Sequence, residues 1–211
     1  MKVIKKTFDS RFTTKTGWLC LDYANTVDWH ASANPEEQLS AYQDLVSWAK
    51  SMAILSPAAT EELLAESKAE PAKARKILNQ AIELREAIYR IFSSHAKGIS
   101  ASVDDILILN AAMDRLLPEL KLALNNNVFE WEWVISTKCL DSLLGPVIWS
   151  AVGLLTSDAL ERVGQCADES GCGWLFWDNS RNRSRCWCDM KDCGNRAKSR
   201  RFYRKSHDSV K

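Results

Sequence analysis

The stretch CADESGCGWLFWDNSRNRSRCWCDMKDC, residues 166–193, holds four cysteines in two close pairs: Cys166 with Cys172, and Cys188 with Cys193. Paired thiolates at short spacing suit a tetrahedral four-cysteine zinc site, because each pair can span one edge of the tetrahedron from a short length of backbone. The spacing therefore predicts that these four residues bind Zn²⁺. Disulfide or redox roles are the alternative, and the odd total of seven cysteines argues against them.

The residues around and between the two pairs predict a small zinc module. Aromatic side chains on both sides of a polar turn indicate two strands within 173–187, and Asp189 can cap a helix that carries Cys193 in its first turns. A knuckle, a hairpin and a ligand-bearing helix, in this order, are typical of a treble-clef finger. The module has too little apolar surface for a core of its own, so removing the metal should unfold it and spare the rest of the chain. We interpret its aromatic residues as core rather than as a surface for stacking bases: Trp174, Phe176, Trp177 and Trp187.

Charge divides the chain in the same place. Residues 161–211 hold 12 Lys and Arg against 7 Asp and Glu, whereas residues 1–160 hold 16 against 20. We therefore predict a helical domain over 1–160, a zinc finger over 161–206 and a tail over 207–211. A basic module attached to a mildly acidic body most often meets a polyanion.

Helical spacing of apolar residues prevails over the first 118 residues and predicts three to five helices. The strongest of them starts at Pro71 and stops at Gly98. Ser56 and Ser102 are the predicted N-caps of two further helices, and the run over 39–49 also has helical spacing.

After Pro118 the apolar residues alternate with period two, over 120–124 and 129–135, about a polar Asn-Asn-Asn turn. This pattern predicts a β-hairpin. Helical spacing returns from Cys139 to Thr156. The predicted fold class is therefore mainly α with a small β-hairpin (α+β): a helical N-terminal domain followed by a treble-clef-like four-cysteine zinc finger.

Polar residues interrupt the apolar pattern of the body. Asp22, Asn25 and Asp28 recur at every third position, so on a helix they would lie along one side. One interpretation is a buried network in which Arg85 pairs with Asp22 while Asn25 caps backbone groups. The other is that Asp22, Asn25 and Arg85, with the neighbouring Trp29 and His30, line a pocket for a small-molecule effector.

The basic residues of the zinc module predict contacts with double-stranded DNA. Arginine suits bidentate phosphate contacts and guanine edges in the major groove, and affinity drawn from phosphates should depend steeply on salt. The plainer interpretations are a solvated basic helix, or arginines that neutralise the zinc–thiolate centre; we assign Asn195 and Arg196 to that structural role. The predicted DNA-contacting residues are Arg181, Arg183, Arg185, Lys198, Arg200, Arg201 and Arg204.

No pattern in the sequence indicates an enzyme. No histidine lies in a nucleophile or H-E-x-x-H motif, there is no Gly-rich phosphate loop, and a four-cysteine site leaves no open position for a catalytic water. No apolar run approaches the roughly 20 residues of a membrane span, and no signal-like stretch follows the N-terminal lysines. We therefore expect a cytoplasmic protein with no membrane partner.

Several segments carry a resemblance to known families. Cys193-Gly194-Asn195-Arg196, preceded by Cys-Gly-Trp-Leu-Phe, Ser-Arg-Asn and Trp-Cys, resembles the CGNR zinc-finger family. Leu21-Asp22-Tyr23-Ala24-Asn25-Thr26 and Leu84-Arg85-Glu86-Ala87 resemble the helical ABATE domain that accompanies this finger in bacterial proteins. Together the resemblances cover nearly the whole chain.

The resemblance implies a stress-induced bacterial transcription regulator with Cys166, Cys172, Cys188 and Cys193 as metal ligands. Cys186 departs from the family pattern, because it stands where Ser-Arg-Arg-Trp-Cys has an arginine. That change removes one candidate phosphate contact and places a fifth thiol near the metal, and we favour an unligated thiol over an alternative ligand.

The sequence thus predicts a zinc-dependent DNA-binding regulator whose body senses an effector or forms a homodimer. A protein-interaction adaptor that docks an acidic surface is the alternative, and it should show no dependence on DNA sequence. An RNA-binding finger is the third possibility, which competition with single-stranded RNA would distinguish.

Overall fold

The computed structural model describes residues 12, 14–136 and 139–208, and it shows helices joined to three small antiparallel sheets. The predicted fold class, mainly α with small hairpins, is confirmed. The N-terminal lysines used for the localisation prediction, and residues 209–211 of the predicted tail, lie outside the described residues. The helices are α1 (Leu19–Ala24), α2 (Tyr42–Ser51), α3 (Pro57–Ala69), α4 (Pro71–Ala96), α5 (Val103–Leu116), α6 (Gly145–Leu155) and α7 (Asn195–Asp208). The strands are β1 (Val27–Asp28), β2 (Glu36–Glu37), β3 (Leu120–Asn125), β4 (Val128–Trp133), β5 (Val163–Gln165) and β6 (Leu175–Trp177).

Helix α4 is the centre of the body, and α1, α2, α3 and α5 all pack against it. Its buried residues recur at helical spacing from Ala74 to Ser93. Pro71 occupies the first turn, where its missing N–H costs no hydrogen bond. Gly98 follows the end of the helix with a φ of 69°, a backbone conformation that glycine adopts without strain. Both predicted limits of this helix are confirmed.

The serine caps form as predicted. The Ser56 hydroxyl accepts a hydrogen bond from the Ala59 N–H at the start of α3, and the Ser102 hydroxyl accepts one from the Asp104 N–H at the start of α5. Each bond satisfies a backbone donor that the helix itself leaves unpaired.

Helix α1 is too short to contain all three polar residues that recur at every third position. It ends at Ala24, and the next residues turn away because the Thr26 hydroxyl donates to the Tyr23 carbonyl at the helix end. Asp28 then lies in β1, paired with Glu36 of β2. The condition under which Asp22, Asn25 and Asp28 would lie along one side is therefore not met, because only Asp22 lies within α1.

Helix α6 also begins later than predicted. The spacing suggested a helix from Cys139, but residues 142–144 form a 3₁₀ turn and α6 starts at Gly145. Pro146 explains this start, because proline lacks an N–H and is tolerated in the first turn but not inside a helix. Within the described part of the chain, no helix combines the length and apolar character needed to cross a bilayer.

Strands β3 and β4 form the predicted hairpin about a two-residue turn. Asn126 and Asn127 have φ angles of 48° and 66°, which the tight turns of twisted hairpins require and which asparagine tolerates better than most residues. At the base of the hairpin the Trp133 ring packs against Gly145, where any side chain would collide with it. The hairpin is thereby anchored to the first turn of α6.

The strands of the zinc module pair differently from the prediction. We expected two strands within 173–187 to pair with each other, but β6 pairs with β5, which precedes the first cysteine. Val163 of β5 and Leu175 of β6 are buried in the same apolar cluster as the body. This burial favours the β5–β6 pairing, because it gives the aromatic module a core that its own residues cannot supply.

Candidate metal centre

The sulfur atoms of the four predicted ligand cysteines converge at one point. The Sγ atoms of Cys166, Cys172, Cys188 and Cys193 all lie within 4.8 Å of one another. Sγ of Cys188 lies 3.6 Å from that of Cys172 and 3.5 Å from that of Cys193. A tetrahedron with metal–sulfur bonds of about 2.3 Å has edges of about 3.8 Å, whereas a disulfide would bring two sulfurs to about 2.05 Å. The arrangement therefore fits a metal ion and not a pair of disulfides.

Two short segments place these thiols. Cys166 follows β5 directly and Cys172 lies three residues before β6, so the β5–β6 pairing brings the first pair together. Cys193 lies in a π-helical turn over Met190–Gly194, and Asp189 caps this turn by accepting the Lys191 N–H at 2.7 Å. The predicted cap at Asp189 is confirmed.

Arg196 supplies positive charge beside the sulfurs. Its guanidinium donates to Sγ of Cys193 at 2.9 Å and to the Asp168 carboxylate, also at 2.9 Å. Burial raises the pKa of the Cys193 thiol, so this thiolate needs compensation by a metal and a neighbouring cation. The donor set, four sulfurs with an arginine against one of them, suits a four-thiolate metal centre of net negative charge.

Cys186 lies outside this centre. Its side chain is exposed, and its thiol lies 3.6 Å from the Ser184 carbonyl. Within the described residues, the group that can hold a metal consists of the other four cysteines of the module.

The predicted DNA-contacting residues fall into two sets. In the first set, each guanidinium is bonded to other groups of the protein. Arg200 donates to Asp168 and to Ser170, and Arg204 pairs with Glu169, both from the side of α7 that carries Arg196. Two further arginines belong to this set: Arg185, whose guanidinium donates to the carbonyls of residues 177, 187 and 188, and Arg183, which pairs with Glu161.

Burial opposes ionisation of Asp168, but the Ser170 N–H and the guanidinium groups of Arg200 and Arg196 lower its pKa. This carboxylate therefore stays charged and ties α7 to the loop between the first two cysteines. Sequence reasoning missed Asp168, although an acid two residues after a ligand cysteine, in a module with arginines at every fourth position of a later helix, is a usable signal.

The second set of predicted DNA-contacting residues is exposed to solvent. Arg181, Lys198 and Arg201 are exposed, and within the described ranges their charged groups have no ion-pair partner. Lys198 and Arg201 are three residues apart on α7, and neither belongs to the stripe formed by Arg196, Arg200 and Arg204. Helix α7 thus presents one bonded basic stripe and one solvent-exposed basic stripe.

The buried arginine of the body has other partners than predicted. Arg85 pairs with Glu37, through bonds of 2.6 and 2.7 Å, and with Glu86 at 2.8 Å. Asp22 instead accepts the backbone N–H groups of Lys15 and Thr16, both at 3.0 Å. The predicted Arg85–Asp22 pair is therefore wrong. The nearer acid in space is Glu37, which the sequence places 48 residues from Arg85.

His30 and Glu86 extend this network. Burial alone would raise the pKa of Glu86, but the hydrogen bond from His30 and the charge of Arg85 lower it to about 2. The His30 ring stacks on Tyr89 with centroids 3.6 Å apart, and its Nε2 lies 3.0 Å from Glu86.

Asn25 joins the body to the zinc module. Its side-chain amide donates to the Leu175 carbonyl at 2.8 Å and accepts the Leu175 N–H at 2.9 Å. The predicted role of Asn25 as a backbone cap is thus partly realised, but across the boundary between the two parts.

Further bonds cross the same boundary. The N–H groups of His30 and Ala31 donate to the carbonyls of Cys172 and Gly171, at 3.0 and 3.1 Å. The Trp174 indole donates to Val27 at 2.8 Å, and the Tyr89 hydroxyl to Gly173 at 3.0 Å. The loop that carries Cys172 is therefore built against the body.

A cleft of about 290 Å³ opens at this junction. Asn25 lines it, together with Trp29 and Trp174, and Arg196 stacks on the Trp29 ring at 4.8 Å. Asp22 faces a space of only about 20 Å³, and Arg85 is enclosed by its partners. Of the three residues predicted for an effector pocket, only Asn25 reaches a cavity of useful size.

Comparison with known proteins agrees with this organisation. The family ABATE, described as "Putative stress-induced transcription regulator", matches residues 17–158, and the family zf-CGNR, described as "CGNR zinc finger", matches residues 162–206. A search of curated proteins gave no match. Neither family is an enzyme family. With two thirds of its length matched to one model and the metal-binding module to the other, the chain belongs to the ABATE family and carries a C-terminal CGNR zinc finger.

Proposed function

We propose that this chain is a zinc-dependent transcription regulator that binds double-stranded DNA through the exposed stripe of α7. The observation that carries the proposal is the division of the basic residues of α7. Arg196, Arg200 and Arg204 bind the loop of the metal centre, whereas Lys198 and Arg201 remain exposed. The bonded stripe fixes the helix on the zinc module, so the exposed stripe is held outward in a defined orientation.

A fixed basic helix suits the major groove, where phosphate contacts supply affinity and base edges supply specificity. Arg181, exposed in the loop before the second cysteine pair, is the third free cation that we assign to phosphate contact. Arg185 and Arg200 are engaged by the chain, so we assign them to positioning the finger rather than to DNA. Arg183 and Arg204, in exposed ion pairs, could exchange their carboxylate partners for phosphate at small cost.

The identity of the metal as Zn²⁺ is supported by the all-sulfur donor set, because closed four-cysteine sites are typical of structural zinc. The structure pairs none of the seven cysteines in a disulfide, which suits a reducing compartment such as the cytoplasm.

DNA binding is tested by salt-titrated fluorescence anisotropy with duplexes selected from a random pool. The variant Lys198→Ala/Arg201→Ala should weaken binding at least about tenfold, and the slope of log K against log salt should fall by about 2, one for each lost phosphate contact. The matched control is Lys50→Ala/Lys76→Ala, which removes the same two charges from exposed positions of the body and should leave the slope unchanged.

The outcomes separate the alternatives. Equal slopes for parent and α7 variant would refute contact through this stripe. Binding that does not depend on duplex sequence would favour the protein-interaction adaptor, and displacement by single-stranded RNA at lower concentration than by duplex would favour an RNA-binding finger.

We further propose that the body senses a small effector at the cleft beside Asn25 and Trp29. The support is its position, because a ligand there would contact body and finger together and so could bias α7. A metabolite panel should contain compounds that raise the Tm of the zinc-loaded protein, and a panel with no such compound would contradict the proposal.

A further inference from the structure

The β3–β4 hairpin projects from the body with both faces of its outer half exposed. Trp133 anchors its base on α6, as described above, but Lys121, Glu130 and Glu132 are exposed on one face and Leu122, Leu124 and Phe129 are exposed on the other. A two-stranded hairpin alone in water is at best marginally stable.

One face of this hairpin is wholly apolar. The strand register places Leu120 opposite Trp133, Leu122 opposite Trp131, and Leu124 opposite Phe129, so all six side chains share that face. Phe129 is 70% exposed and Trp131 is 61% exposed. Trp149 of α6 extends the surface, because its ring lies 6.0 Å from that of Trp131 and is itself exposed.

The exposed area is large enough for a stable interface. Five exposed apolar side chains, three of them aromatic, present on the order of 600 Å² per copy. That is at the upper end of apolar patches on monomeric proteins, and two such faces together bury roughly the 1,200 Å² at which specific interfaces begin.

The distribution of charge around the apolar face indicates which kind of partner covers it. The apolar face carries no charged side chain, and the opposite face of the hairpin carries Glu130, Glu132 and Lys121, on a body that is acidic overall. An uncharged apolar face on an acidic body disfavours nucleic acid and anionic lipid, and a second copy covers the face without introducing any unpaired charge. Two copies related by a two-fold axis can also pack their apolar faces together, with the tip of each hairpin against the base of the other.

We propose that the apolar face of the β3–β4 hairpin, extended by Trp149, is the homodimer interface of this protein. The interface contains no metal ligand and no residue of the DNA-binding stripe, so its test does not depend on DNA binding.

Sedimentation equilibrium of the zinc-loaded full chain, over about 1–100 µM, measures the association. The parent should fit a dimer of the 23.8 kDa chain. The variant Leu124→Thr/Phe129→Thr changes one cross-strand pair of the apolar face to residues that keep β propensity, and it should raise the dimer Kd at least about tenfold. The matched control, Ala123→Thr/Glu130→Thr, makes the same replacement at the adjacent cross-strand pair on the other face and should keep the parent Kd.

A parent that remains monomeric at the highest concentration would overturn the proposal, as would a variant that dimerises as tightly as the parent. Should the double variant fail to fold by circular dichroism, the single variant Phe129→Thr provides the same comparison at a position that is largely exposed. A monomeric parent that floats with phosphatidylcholine vesicles would reassign the face to lipid.

Discussion

Arg196 links three parts of the molecule through one side chain. Its guanidinium contacts a metal-ligand sulfur, a buried carboxylate and the face of Trp29. Trp29 has a φ of 54°, a conformation that is costly for a bulky residue and persists only where the surroundings hold it. The metal centre, the finger loop and the body are therefore coupled at this residue.

The exposed fifth cysteine of the module provides a direct test of the ligand set. Cys188→Ser should abolish stoichiometric zinc, because three thiolates cannot close the site, whereas Cys186→Ser should retain one zinc per chain. Elemental analysis measures the metal, and Co²⁺ substitution gives a thiolate charge-transfer band as a second readout. Loss of zinc in the Cys186 variant would show that the assigned set is incomplete.

Arg85 is the largest fully buried charged side chain in the described part of the chain. Its side chain is 2% exposed, and Arg85→Met would leave Glu37 and Glu86 without their partner, so the free energy of unfolding should fall by about 3 kcal/mol. Urea denaturation of the zinc-loaded protein measures this loss. Arg75→Met, the same replacement at an exposed position of α4, should change stability by less than about 0.5 kcal/mol.

At this scale the sequence predicts residues whose chemistry depends on local spacing. The four cysteines converge as predicted, because each pair is joined by a short segment. The partner of Arg85 could not be predicted, since Glu37 and Asp22 are both distant in sequence and only the turn after α1 brings Glu37 closer.

Elements with strong local signals form where the sequence places them. Helices α3, α4 and α5 start at capping serines or prolines, and β3–β4 turns at two asparagines. The β5–β6 pairing could not be predicted. The polar turn that follows β6 suggested a hairpin within the finger, whereas the actual partner, β5, lies before the first cysteine and shares the apolar cluster of the body.

The cap of α5 can be tested at the level of the element. Ser102→Ala removes the acceptor of the Asp104 N–H and should lower the free energy of unfolding by about 1 kcal/mol. Ser102→Asp retains an acceptor at the helix N-terminus and should keep the parent stability. Urea unfolding curves of the three proteins check both outcomes, and equal curves for parent and alanine variant would contradict the assigned cap.

Across the whole molecule, the zinc finger is continuous with the helical body. Leu175 and Val163 lie in the body's apolar cluster, and backbone bonds connect Cys172 and Gly171 to His30 and Ala31. We predicted that metal removal would leave the body folded. The structure limits this prediction, because the backbone of His30 and Ala31 in the body is bonded to the loop that the metal closes.

Amide hydrogen exchange tests this coupling. After chelation of the metal, the N–H groups of His30 and Ala31 should exchange at least about tenfold faster, because their acceptors are the Cys172 and Gly171 carbonyls. Amides in the middle of α4, which bond within that helix, are the internal control and should change much less. Unchanged protection at His30 and Ala31 would mean that the finger stays docked without metal.

The two hydrogen bonds between the Asn25 side chain and the Leu175 backbone have a practical consequence for the design of fragments. A synthetic peptide spanning only residues 162–206 would carry every ligand thiol yet would lack the surface on which Leu175 and Trp174 rest. Anyone grafting this finger onto another scaffold should transplant Asn25 through Ala31 with it, or else redesign those contacts from the host side.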